Sequence, residues 1–147
     1  MMPGITDPTE AFFKDGNWGW DGSQWRRAAM LFGYTDQVLS KAVITGAGAG
    51  SHTIDGAAVA SGEIWIITAM EAHDAVSAVP SIFLGANAGG VSYWIAAAGA
   101  TGAGIGFSWS GTMVLEAGQK PRCVITGVTA GDSLEFNYSG YKMSISS

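Results

Sequence analysis

The sequence is poor in charge. Asp, Glu, Lys and Arg make up 13% of the 147 residues, about half the usual ~25% of a soluble domain. Part of the surface is therefore expected to be covered by copies of the chain or by a partner. Positive charge is scarcer still. Seven Lys and Arg against twelve Asp and Glu give a net charge of -5, and beyond the Arg26-Arg27 pair there is no basic patch, which argues against a nucleic-acid partner. No run of eighteen apolar residues is present, so no membrane-spanning helix is expected. Pro3, Asp7, Pro8 and Glu10 interrupt the first residues, where the apolar stretch of a secretion signal would lie, so no signal peptide is expected. A single cysteine, Cys123, excludes an internal disulfide; inside an apolar strand it reads as a small core residue rather than a nucleophile. No long helical periodicity appears anywhere.

What is present is sheet. The clearest stretch runs from Gly111 to Ile145. Thr112 to Glu116 is a short apolar run that stops at Ala117-Gly118, and Pro121 to Gly127 is the next, with proline at the opening position where a strand can spare an N–H. In the last strand Leu134, Phe136 and Tyr138 share one face, and Glu135, Asn137 and Ser139 the other. The alternation then moves to Tyr141, Met143 and Ile145. A strand that changes parity must bend or bulge, and Gly140 sits at the change. Upstream, Lys41 to Thr45 and Thr53-Ile54 read as strands, and Ile64 to Met70, apolar on both faces, as a central strand. Residues 71–79 read as a loop, Ser81 to Leu84 and Val91 to Ala96 as strands joined by the Asn87-Ala-Gly-Gly90 turn, 97–106 as a long loop, and Phe107 to Trp109 as a brief strand. Eight or nine short strands with turn signals every eight to twelve residues predict an all-β chain, a jelly-roll β-sandwich over residues 41–147. Its core is expected from Ile64, Ile66, Phe83, Trp94, Val114, Val124, Leu134 and Phe136.

Residues 1–40 read as an N-terminal arm. Three of the six tryptophans fall in eight residues, Trp18, Trp20 and Trp25, and the Asp21-Gly22 turn between them predicts a tight hairpin. A short helix is one option for the next segment, Ala28 to Tyr34. Ordering the arm costs about 1–2 kcal/mol per residue, more than its few large side chains return, so it must dock. Three readings stand: the tryptophans close the core of their own domain, they anchor the chain to another subunit or a scaffold, or they form a sugar-binding platform.

Several chemical motifs fail on inspection. Gly46-Ala-Gly-Ala-Gly50 and the glycines of 99–106 lack the Lys-Ser/Thr and the strand-to-helix setting of a phosphate loop. Glu71, His73 and Asp74 are close enough in sequence to ligate a cation, but a solvated loop explains them better. There is no nucleophile elbow, and no acid stands in an apolar run that would tune it.

The run FFKDGNWGWDGSQWRRAAMLFGYTDQ, followed by GEIWIIT and by VLEAGQKPRCVITGVTAGDSLEFNYSGYKM, resembles small virion proteins of tailed bacteriophages. Those join a Trp-rich N-terminal segment to a jelly roll and occur as capsid decoration (cement) proteins or as fibre and tail-tip modules. The resemblance runs from Phe12 to Met143, with xWGWDGxxWR its distinctive part. It implies a non-enzymatic structural protein of the virion surface, a homotrimer without metal or cofactor. Phe12, Phe13, Trp18, Trp20, Trp25, Arg26 and Arg27 would grip the major capsid protein or another virion protein. The alternative is a fibre or tail-tip receptor-binding module that recognises a host-surface polysaccharide through Tyr93, Trp94 or Trp109.

Overall fold

A computed structural model of the chain describes residues 18–20, 25–27 and 34–144, with side-chain surroundings from residue 36 onward. Among the described residues there are ten strands: β1 (Trp18–Trp20), β2 (Trp25–Arg27), β3 (Tyr34–Ile44), β4 (Gly50–Asp55), β5 (Glu63–Asp74), β6 (Ser81–Ala88), β7 (Val91–Ala98), β8 (Phe107–Leu115), β9 (Lys120–Val128) and β10 (Leu134–Ser144). β1 and β2 pair antiparallel with each other, Trp20 opposite Trp25, as the turn signal between them requires. The helix considered for 28–34 lies outside the described residues except at Tyr34, which opens β3.

Strands β3 to β10 form two four-stranded sheets, a front sheet in the order β3-β10-β5-β8 and a back sheet in the order β4-β9-β6-β7. Every pairing is antiparallel. The chain crosses between the sheets at every connection except the β6–β7 hairpin, which turns at Gly89-Gly90. This alternation, closed by β10 returning to lie between β3 and β5, is the jelly-roll topology. The sandwich begins at Tyr34 rather than at residue 41, because residues 34–40 continue β3 alongside β10.

The inner faces of both sheets supply the core. Leu134, Phe136 and Tyr138 on β10 are buried together with Ile67 and Met70 (β5), Ile82 and Leu84 (β6), Leu115 (β8), and Cys123 and Ile125 (β9). The parity change expected in β10 falls on its neighbour β5, whose inner face moves from Met70 and Ala72 to Ile67, while the ladder of β10 with β3 runs unbroken through Gly140. Ser139 pairs with Ala69 but Gly140 with Ile67, so Thr68 of β5 is the extra residue of a bulge. A Cβ on Gly140 would lie 2.9 Å from Ile67 Cα and closer still to the Ile66 carbonyl oxygen. Only glycine lets the two backbones approach that closely.

Four further expectations are corrected. Residues 71–74 are the end of β5, not a loop: Glu71 and His73 occupy the outer face of a strand whose inner face is Met70, Ala72 and Asp74. The two runs either side of Gly111 are a single strand, β8. Ala97 and Ala98 belong to β7, and Thr101 exchanges two backbone hydrogen bonds with Val79, so the loop is shorter and tied down. Of the expected core, Leu134 and Phe136 are fully buried and Ile66 is buried outside the central cluster, whereas Phe83, Trp94 and Val124 stand on the outer face of the back sheet and Val114 is exposed. Phe83 and Val124 are single large apolar residues on outer faces otherwise made of Ser81, Gly85 and Asn87 on β6 and Lys120, Arg122 and Thr126 on β9, so apolar character at one position does not make it a core position.

Candidate functional site

Three surfaces have the character of a site. The first is the flank formed by the open strands β7 and β8. These are the terminal strands of their sheets on the same side, since β5 stacks on β6 and β8 approaches β6. From Ala75 to Leu115, which takes in β6, β7 and β8, the chain contains no charged residue and no histidine. The opposite flank, β3 and β4, carries Asp36, Lys41, His52 and Asp55. On the uncharged side Val91 and Tyr93 are 54% and 57% exposed, and Ile95, Ile105 and Val114 are also exposed. An open strand edge offers unpaired N–H and C=O groups to any other strand, and proteins that stay monomeric blunt such edges with Lys, Pro or inward charges. Here none of these is present.

The second surface is the outer face of the back sheet. Arg122 of β9 donates from Nε to Asp55 Oδ1 (2.6 Å) and from Nη2 to Asp55 Oδ2 (2.9 Å), a bidentate pair across neighbouring strands, and from Nη1 to Ser92 Oγ (2.8 Å) on β7. Asn87 of β6 donates to Asp55 Oδ2 as well (3.3 Å). Hydrogen bonding from Arg122 holds the Asp55 carboxyl below the usual carboxylate range against the opposing effect of burial, and the same bond raises the Arg122 guanidinium. Beside this network stands Trp94, whose ring is tilted against Phe83 with centroids 5.7 Å apart.

The third is a shallow cleft of about 360 Å³ on the outer face of the front sheet. Its floor is made of small residues, Ala69, Ser108, Ser110 and Ser139, between Leu39 and Glu71. Along the same face His73 Nδ1 lies 3.0 Å from Glu71 Oε1, Asn137 donates to Glu71 Oε2, and Lys41 Nζ is 2.7 Å from Glu135 Oε2. That Lys41 bond is the main reason the Glu135 carboxyl is lowered. The triplet Glu71, His73 and Asp74 does not converge on a cation. Strand alternation sends Asp74 to the inner face, where its Oδ1 accepts from the N–H groups of Val76 and Ser77 and holds the turn after β5.

The arm residues named from sequence fall differently. Trp18 and Trp20 lie on β1, and Trp25, Arg26 and Arg27 on β2, with Trp18 opposite Arg27 and Gly19 opposite Arg26; Phe12 and Phe13 lie outside the described residues. Of the aromatics named for the receptor alternative, Tyr93 and Trp94 are exposed, while Trp109 is partly buried and packs against the core. Sequence reasoning missed the network of Asp55, Asn87, Ser92 and Arg122, because its members come from four strands that only the sheet order brings together. A scan against protein-family models finds no match, and a search of curated proteins finds no similar sequence.

Proposed function

We propose that the chain is a non-enzymatic structural protein of a tailed-phage virion, a decoration (cement) protein that assembles as a homotrimer and attaches to the particle surface through its Trp-rich N-terminal arm. The observation that carries the reading is the uncharged flank of β7 and β8. Two strand edges side by side without charge or proline, with Val91, Tyr93, Ile95 and Val114 exposed along them, are a surface suited to being covered by another copy. A Val, Ile or Tyr side chain gains about 1.5–3 kcal/mol between full exposure and full burial, so each half-exposed one retains on the order of 1 kcal/mol for assembly. A surface without charge complements another like itself, and three such flanks converging around an axis close a ring and leave no edge free. The arm supports attachment rather than trimer formation, because its Trp and Arg residues are the types that dominate anchoring contacts.

The test acts on the full chain. Tyr93→Asp with Val91→Asp should convert the trimer to a folded monomer in size-exclusion chromatography with light scattering. Replacing Trp18, Trp20 and Trp25 with alanine should leave the trimer intact and abolish incorporation into particles, since truncating a buried aromatic anchor costs ~2 kcal/mol or more. A wild-type chain that is monomeric, or normal incorporation of the triple variant, contradicts the reading.

A further inference from the structure

We propose that the outer face of the back sheet is a saccharide-binding site centred on Trp94, with Arg122 as the polar group that orients the sugar. The inference does not rest on the decoration reading, because it uses the outward face of β7 and its neighbours β6 and β9, whereas the decoration reading uses the open strand edge.

The argument begins with the register of β7. Ala98, Ala97 and Ala96 pair in order with Ile82, Phe83 and Leu84, but Gly85 pairs with Trp94, so Ile95 is an extra, bulged residue. In an unbroken ladder Ile95 would oppose Gly85, and Trp94 would oppose Ala86 on the inward face. The bulge therefore moves the indole from the core to the outside. Re-aiming a side chain in this way is a common use of a bulge beside a functional site.

The residue opposite Trp94 is prepared for it. Gly85 has no side chain to stand under the indole, and a Cβ there would lie 2.9 Å from Trp94 Cα and closer still to the Tyr93 carbonyl oxygen. Phe83, one outward position along β6, steadies the ring from the side. Even so, Trp94 remains 41% exposed. A tryptophan placed outward by a bulge, flanked by a second aromatic and 41% exposed, leaves part of its aromatic surface open to a ligand. The negative face of that ring attracts the C–H face of a pyranose.

Next to the ring is a fixed set of hydrogen-bonding groups. Arg122 carries five N–H donors. Three are used among the described residues, two on Asp55 and one on Ser92, which leaves two on a guanidinium already held rigid. Such a fork matches a pair of neighbouring oxygens. Because Asp55 compensates its charge, Arg122 is not a simple anion trap, and hydroxyl oxygens are the fitting acceptors. Ser92 and Asn87 add further polar groups at the rim. A flat aromatic platform with a few fixed polar groups is the composition of a site that takes a ligand apolar on one face and hydroxylated at its edge.

The experiment uses the full chain labelled with ¹⁵N, and follows the Trp94 indole Nε1–H and the Arg122 Nε–H signals during titration with hexasaccharides of glucose, mannose, galactose and N-acetylglucosamine. The proposal expects both signals to shift together with at least one of these sugars. Trp94→Ala should weaken that binding at least tenfold without changing the rest of the spectrum, and Trp94→Tyr should restore most of it. Arg122→Lys, which keeps the charge and loses the fork, should weaken it several-fold. No shift with any of the four sugars overturns the proposal. So does binding that survives Trp94→Ala, or a change of oligomeric state in that variant, which would make Trp94 part of a contact between copies.

Discussion

Gly140→Ala adds one methyl group where the structure leaves no room for it. β10 lies between β3 and β5 and is hydrogen-bonded on both sides, so it cannot move away from one neighbour without straining its ladder with the other. The bulge at Thr68 brings the Ile66 carbonyl and Ile67 Cα beneath Gly140. An added Cβ would lie 2.9 Å from Ile67 Cα and from the Ile66 carbonyl carbon, against an ordinary carbon separation of about 3.5–4.0 Å. Both neighbours are backbone, with no rotamer to change. Alanine in a strand is ordinarily favoured over glycine by about 0.5–1 kcal/mol, while overpacking costs about 1–3 kcal/mol; because the relief here must come from two backbones in the middle of a sheet, the cost belongs at the upper end. The expected net loss is about 1–2 kcal/mol. At about 4 °C per kcal/mol for a domain of this size, Tm should fall by roughly 4–8 °C in thermal unfolding followed by circular dichroism. Gly48→Ala is the internal control, since a Cβ there meets nothing within 4 Å and the change should be neutral or stabilising by up to about 1 kcal/mol. A Gly140→Ala variant as stable as the parent would refute the close approach of β10 and β5.

Three further outcomes are expected. Asp55 has its carboxyl lowered in the folded state by Arg122, so the stability contributed by the pair is fully present above the unfolded Asp value of about 3.9. It should be lost as pH falls through the lower folded value, and Asp55→Asn should flatten that part of a urea-unfolding series against pH. Cys123 is buried on β9 and its thiol is pushed up to about 12 by desolvation. It should therefore resist a thiol-reactive dye at pH 8 in the folded protein and react rapidly in urea; fast labelling of the native chain would contradict the packing of the back sheet. Leu134→Ala, at a fully buried position of the central cluster, should cost about 2–5 kcal/mol, whereas Val114→Ala, at an exposed position that the apolar run assigns to the core, should stay within about 0.5 kcal/mol in the same denaturation assay.

The contrast between Leu134 and Val114 shows where the sequence was readable. β10 alternates apolar and polar residues, so its inner face could be read from spacing alone, whereas the break expected at Gly140 belongs to β5, where Thr68 is the extra residue. β5, apolar on both faces, declared itself a strand with neighbours on both sides, and it lies between β10 and β8. β6, β8 and β9 carry large apolar residues on both faces, and only burial in the assembled sandwich separates Ile82 and Leu84 from Phe83, or Ile125 from Val124. The bulge at Ile95 has no local signature, so nothing in VSYWIA indicated that Trp94 faces outward. The partners of Arg122 were hidden for a related reason. Asp55 is 67 residues away in sequence and Ser92 is 30, and such pairs are fixed by sheet order, which local pattern does not encode. The uncharged stretch from Ala75 to Leu115, in contrast, was plainly legible as composition; topology turned it from a segment into a surface.

Immunogold labelling of intact virions with an antibody against the sandwich domain tests the proposed function most directly. The account predicts regularly spaced label over the head, present with the wild-type chain and lost when Trp18, Trp20 and Trp25 are alanine. Label confined to the tail end, or no label on the particle, would contradict it.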